Sequence, residues 1–138
     1  MFLLDTNVVS ELRKVRSGKA NAGVADWANG VTVDRLYLSV LSLVEIEIGI
    51  LRAERRDVTQ GAILRVWLEE HVLPAFSGRI LPVDIAVARL AANLQVPDPR
   101  PAFDSLIAAT ALANDLTLVT RNEADFQGIG VRVLNPWK

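Results

Sequence analysis

Cysteine is absent from this chain and histidine occurs once, at position 71. Without a thiol there is no disulfide, no zinc–thiolate centre and no cysteine nucleophile. A single histidine allows no histidine dyad, and His71 reads as a residue near a helix end rather than a base. Long apolar runs are missing too. The longest, Leu36 to Leu51, is broken by Glu45 and Glu47 and falls short of the ~20 apolar residues of a spanning helix. The N-terminus reaches Asp5 after three apolar residues with no basic stretch before them, which is not a signal-peptide pattern. These features together fit a cytoplasmic protein away from any membrane. No GxxxxGK, GxGxxG or GxSxG occurs, so phosphate-loop and nucleophile-elbow chemistry are excluded. Positive charge is not in excess either. Fifteen Lys and Arg face sixteen Asp and Glu, for a net charge of −1. Nucleic-acid contact would therefore rest on local clusters. Arg13, Lys14, Arg16 and Lys19 form one, and Arg52, Arg55 and Arg56 another. Such clusters are most often solvated faces.

What is present is apolar bulk. Hydrophobic residues make up 51% of 138 positions, which suits one domain spanning residues 1–138. A domain of this size buries roughly 68% of its unfolded surface, enough for a core without staples. The apolar surplus would suit a subunit interface.

Met1 to Leu4 predicts a buried strand. Thr6 to Lys14 predicts a first helix capped by Asp5 or Thr6. After a loop at Ser17 to Asn21, a helix over Ala22–Asn29 ends at Gly30. Leu36 to Ser39 predicts a second strand, and Leu41 to Arg56 a helix whose apolar stripe is Leu41, Val44, Ile48 and Leu51. Asp57 caps the next helix, expected to reach Val72 and close at Pro74. Further on come a strand at Ile80–Val83, a helix Ile85–Leu94 capped by Asp84, and a loop around Pro97, Asp98, Pro99 and Pro101. A buried helix over Phe103–Asn114 follows, then strands at Leu116–Thr120 and Val131–Leu134. Alternating strands and helices predict an α/β fold with a mainly parallel sheet of five strands. Ligands in such sheets sit beyond the carboxyl ends of the strands. Trp27, Trp67 and Trp137 read as core or interface.

Acidic residues stand where those ends converge. Asp5 closes the first strand, and a carboxylate at the border between core and cleft is costly unless paired or metal-bound. Glu45 and Glu47 are separated by about 200° around a helix, so only one can face Asp5. Glu45 shares the predicted stripe and is the candidate, with Glu47 solvated. Asp104 lies in the first turn of a helix poor in other polar groups, with Ala108 and Ala111 one and two turns on. Asn122 and Asp125 follow the fourth strand. Each of these side chains has an ordinary use as a cap, a turn residue or half of an ion pair. Together they match what magnesium needs, a few hard oxygen ligands with water completing an octahedron.

These segments resemble the PIN-domain family. Leu3-Leu4-Asp5-Thr6-Asn7 is similar to its first motif, Ser39 through Gly49 to its second, Phe103 through Ala111 to its third, and Thr120 through Phe126 to its fourth. Within the family the chain resembles the toxins of VapBC-type toxin–antitoxin modules, and Leu134-Asn135-Pro136-Trp137 resembles the FitB-like branch. The resemblance implies a three-layer α/β/α fold. It implies an endoribonuclease dependent on Mg²⁺, with Mn²⁺ the alternative, that attacks in line and leaves a 5′-phosphate. Also implied are a homodimer, inhibition by a VapB-like antitoxin, and contact with operator DNA only through that antitoxin. By motif match Asp5, Glu45 and Asp104 take the metal positions. The FitB-like carboxylate after the Thr-Arg pair is replaced here by Asn122, with Asp125 three residues later.

The expected chemistry is metal-assisted hydrolysis of an RNA phosphodiester. Asp5 and Asp104 hold one ion, Glu45 binds or orients it, and Asn122 or Asp125 completes this site or a second. Thr6, Asn7 and Thr120 would position water or phosphate. Arg13, Lys14 and Arg16 would clamp the RNA backbone, reading phosphate rather than sequence. The main rival is a non-catalytic module acting through its complex with a DNA-binding antitoxin, and Asn122 favours it. A phosphohydrolase of small phosphoesters is a third reading. That class usually carries a second aspartate two residues after its nucleophile, where this chain has Asn7.

Overall fold

The computed structural model describes residues 1–138. Five strands form one parallel sheet in the order β3-β2-β1-β4-β5. They are β1 (Phe2–Leu4), β2 (Leu36–Ser39), β3 (Ile80–Leu81), β4 (Thr117–Val119) and β5 (Val133–Leu134). The helices are α1 (Thr6–Leu12), α2 (Ala22–Asn29), α3 (Val40–Arg56), α4 (Val58–Trp67), the short α5 (Leu73–Ala75), α6 (Ile85–Asn93) and α7 (Ala102–Ala113).

Successive strand residues point to opposite faces, and that alternation splits the core in two. Leu4, Leu36, Leu38 and Val119 pack on one face against Val8, Val9, Ile46 and Ile50 of α1 and α3. Leu3 and Leu118 pack on the other, against Ile107, Ala108 and Ala111 of α7. α6 covers α7 from outside through Val87 and Ala91 against Ala109. The result is the expected three-layer α/β/α arrangement, with the sheet wholly parallel. Ala108 and Ala111 serve close packing of α7 on the sheet.

Local chemistry sets most boundaries. The side chains of Asp57 and Asp84 accept from the backbone N–H of Gln60 and Val87, capping α4 and α6. Three expectations need correction. The first helix stops at Leu12, and residues 13–18 form turns. Pro74 does not close α4. The chain widens into a π turn over Leu68–Val72 and continues to Ala75, so proline, which has no N–H to give, follows a turn whose hydrogen-bond pattern is already altered. The stripe predicted on α3 is also misplaced. Val44, Ile48 and Leu51 are 42%, 38% and 53% exposed, while Leu41, Ser42, Ile46, Ile50 and Ala53 face the interior. Two apolar stripes share this helix, and spacing alone cannot say which one the sheet covers.

α3 and α4 form a tight hairpin. A Cβ on Gly61 would stand 2.6 Å from Glu54 Cα, so the close approach of the two helices requires glycine there. Arg65 of α4 bridges Glu47 at 2.8 Å and Glu54 at 3.2 Å on α3. Glu47 is thus ion-paired rather than simply solvated. Both acids hold the Arg65 guanidinium charge more firmly than usual, Glu54 contributing most.

Candidate active site

The strand order reverses between β1 and β4. To one side of that line the sheet runs through β2 to β3, and to the other through β5. Clefts open beyond the carboxyl ends at such a point. Asp5 ends β1 there and Thr120 ends β4. Leu4 and Val119 are partners in the ladder, and the N–H of Asp5 donates to the Val119 carbonyl at 2.9 Å.

Asp5 is 7% exposed and carries three hydrogen bonds. Oδ1 accepts from the Thr6 N–H at 2.8 Å, which also caps α1. Oδ2 accepts from the Thr120 hydroxyl at 2.8 Å and from Asn7 Nδ2 at 3.4 Å. Burial raises the Asp5 carboxyl above its ordinary pKa, the Thr120 and Thr6 bonds pull it back, and negative charge on Asp125 pushes it up again. The Thr6 hydroxyl lies 2.7 Å from Glu45 Oε1 and 3.0 Å from Ser42 Oγ. Its one proton goes to the carboxylate, and it accepts from Ser42. Glu45 therefore reaches the site beside the buried Ser42 side of α3, not along the stripe first assigned to it.

α7 leads down into β4, so its first turn and Asp104 lie at the same edge. The Asp104 pKa is raised first by burial, then by the charges of Asp5, Asp125 and Glu45. That coupling is the clearest statement of convergence, because one carboxyl feels the other three. None of the ion pairs in the molecule engages any of the four. Their charge has no cation to answer it, which fits a site built for a hard divalent ion. No three of the side chains yet meet at a single ligand point. Magnesium tolerates that, since one or two carboxylates with water and phosphate oxygens make up its shell.

The remaining candidates divide. Thr6, Asn7 and Thr120 hold protein groups. Thr6 and Thr120 hold carboxylates, and Asn7 Oδ1 accepts from the Arg121 N–H at 3.3 Å. Asn122 donates its backbone N–H to Thr120 Oγ1 at 3.0 Å and leaves its side chain exposed at the start of a 3-10 turn, Glu123–Phe126. Asp125 lies exposed within that turn, and Phe126 is buried beneath it. Arg13 stands 6.0 Å over the Trp67 ring. With Leu12, Arg16, Trp67, His71 and Ala75 it lines a groove of about 370 Å³. A second hollow shares Arg13 and Trp67 and reaches Thr6, Glu45 and Gly49, so Glu45 is the carboxylate that borders this side. Lys14 is bound to Glu11 at 3.3 Å and is less free than the two arginines. Trp27 and Trp137 pack against the first core, as expected, whereas Trp67 also forms a groove wall.

Sequence reasoning passed over Ser42 and Ser105. Both are buried polar residues, one three positions before Glu45 and one directly after Asp104. For Ser42, a serine on the same helix face as Glu45 was the available signal, while Ser105, turned about 100° from Asp104, offered none.

The PIN-domain family profile matches residues 2–131. The chain belongs to the PIN-domain family. All four acidic motifs lie inside the matched span. Among PIN relatives it is 34% identical to the VapC ribonuclease Y4jK of Sinorhizobium fredii, over 100% of this chain and 99% of that one. It is 35% identical to Toxin FitB of Neisseria gonorrhoeae, over 99% of each. In three dimensions it is similar to the FitAcB crystal structure from Neisseria gonorrhoeae, with a TM-score of 0.88, 35% identity and 99% of each chain covered. The PIN fold and the toxin-type ribonuclease group expected from the motifs are both borne out.

Proposed function

We propose that this protein is the toxin of a type II toxin–antitoxin pair, a metal-dependent endoribonuclease hydrolysing RNA phosphodiester bonds. The observation that carries it is the coupling of Asp104 to Asp5, Asp125 and Glu45, with no basic side chain paired to them, at the switch point of the sheet. Asp5 and Asp104 would hold a Mg²⁺ or Mn²⁺ ion, Glu45 would bind or orient it, and Asp125 or Asn122 would complete this site or a second. Such an ion lowers the pKa of a bound water and stabilises charge on the leaving oxygen. Thr120 and Thr6 fix the rotamers of Asp5 and Glu45 through their hydroxyls. Burial of Asp5 keeps bulk water from that carboxylate. Arg13 and Arg16 supply positive charge along the groove that enters from α1 and α4, where an RNA backbone would lie.

With an RNA substrate and a VapB-like antitoxin partner the protein would work in the cytoplasm and reach operator DNA only through the antitoxin. No helix is long and apolar enough to cross a membrane. The exposed α3 stripe of Val44, Ile48 and Leu51 supports a homodimer, since an unpartnered apolar face of this kind favours association.

The test is cleavage of a tRNA and rRNA panel by purified protein with Mg²⁺ or Mn²⁺, with EDTA, and with Asp5→Asn. Cleavage that needs both metal and Asp5 is expected. Cleavage that survives either removal refutes the site. A second reading, a non-catalytic module acting through an antitoxin complex, is favoured by Asn122 in the fourth position. It would show no metal-dependent cleavage in any lane.

A further inference from the structure

Of the four carboxylates, Asp5 is held by Thr6, Asn7 and Thr120 and Glu45 by Thr6, whereas the side chains of Asp104 and Asp125 accept no hydrogen bond and form no ion pair. Next to Asp125, Phe126 anchors the turn from below, and Glu123 is tied to Lys138 at 2.6 Å and to Asn135 at 3.2 Å on one side. The other side is gripped from the loop joining α6 to α7. Arg100 Nη1 donates to the Asp125 carbonyl and Nη2 to the Gln127 carbonyl, each at 3.4 Å. Arg100 is itself pinned. The Gln95 amide accepts from the Arg100 N–H at 3.0 Å and donates to the Arg100 carbonyl at 2.9 Å. The same amide nitrogen reaches Ser105 Oγ at 2.7 Å, and Ser105 follows Asp104.

We propose that Arg100 is a positioning residue which, anchored by Gln95 beside Ser105, fixes the 123–127 turn so that Asp125 faces Asp104 across the metal site. This rests on the metal-dependent reading above. The hydrogen bonds form a continuous path from the start of α7 to the Asp125 main chain, beside the apolar contact made where Phe126 shares a buried cluster with Ile107, Ala108 and Ala111 of α7. A guanidinium suits the task because its fork meets two carbonyls at once in a fixed plane. An ammonium would hold one.

The test is Mn²⁺ binding to the full chain, followed by electron paramagnetic resonance, for wild type, Arg100→Ala, Arg100→Lys, Asp125→Asn and the Arg100→Ala/Asp125→Asn double variant. Hydrogen exchange of residues 122–128 is recorded in parallel. Arg100→Ala is expected to weaken Mn²⁺ binding roughly 10-fold, the lower end for loss of an outer-shell partner, and to speed exchange in that segment. Arg100→Lys should recover part of both. The double variant should bind no more weakly than Asp125→Asn alone, because the two act through one group. Wild-type affinity in Arg100→Ala, or additive losses in the double variant, overturns the positioning role. A salt-dependent rise in KM for RNA with Mn²⁺ binding unchanged would make Arg100 a phosphate contact and equally overturn it. If Arg100→Ala fails to fold, the affinity and exchange of Arg100→Lys decide the matter. Wild type that binds no Mn²⁺ would defeat the metal reading itself, and this role with it.

Discussion

The Thr120 hydroxyl donates to Asp5 Oδ2 at 2.8 Å across 115 positions of sequence. This bond joins the ends of two adjacent strands at the point where the sheet order reverses. It also sets the Asp5 rotamer and offsets part of the burial that raises its pKa.

Replacing Thr120 by valine removes that offset. The Asp5 pKa should rise further, so a higher pH is needed before the carboxylate is ionised and able to bind metal. A pH profile of metal-dependent cleavage would show its acid limb displaced upward in Thr120→Val. An unmoved limb would mean that Asp5 ionisation does not govern the reaction.

Asp5→Asn keeps an oxygen for the Thr6 N–H and an amide that can donate to Thr120, so folding should survive. Cleavage should fall by more than about 100-fold, beyond the usual loss of an outer-shell partner. Circular dichroism and a cleavage assay on one preparation would separate the two effects.

Asp104 carries a raised pKa in the fold, and the sign of its contribution follows. Its stabilising share is complete below its ordinary value near 3.8 and is lost as pH rises through the folded value. At pH 7 in EDTA, Asp104→Asn should therefore be more stable than wild type. The gap should close below about pH 3.8, where the aspartate is neutral in both states. Added Mg²⁺ should raise the wild-type Tm and leave the variant unmoved. Melting curves at pH 3.5 and pH 7 would check this.

Gly61→Ala should destabilise by about 1–3 kcal/mol, the usual range for overpacking. The new methyl would meet backbone, Glu54 Cα at 2.6 Å and Glu54 N at 2.8 Å, and not a flexible side-chain tip alone. Urea denaturation would measure it.

Arg13→Ala and Arg16→Ala should each raise KM for RNA and reduce the salt dependence of binding by about one phosphate contact. Lys14→Ala should do less, since Glu11 already holds that ammonium. Equal effects from all three would argue for a diffuse basic surface in place of a groove.

Much of this protein was readable from the chain by itself. Short apolar runs ending in Asp5, Ser39 and Thr120 predicted parallel strands, because a strand buried on both faces has no polar positions to spare. Asp57 and Asp84 announced helix starts through a local hydrogen bond that needs no tertiary context. Motif order was enough to collect Asp5, Glu45, Asp104, Asn122 and Asp125 as candidates. The rest depended on distance through space. The stripe expected on α3, Leu41, Val44, Ile48 and Leu51, was wrong beyond Leu41, since Ile46 and Ile50 face the interior instead and only packing in three dimensions selects between the two apolar sides. The uses of Thr6 and Thr120 were hidden because their partners lie 39 and 115 positions away. Local chemistry, written in neighbouring residues, determined the elements and the identity of the acids. Tertiary structure alone decided which charges feel one another and which hydroxyls hold them, because electrostatics and hydrogen bonds act over ångströms and take no account of sequence separation.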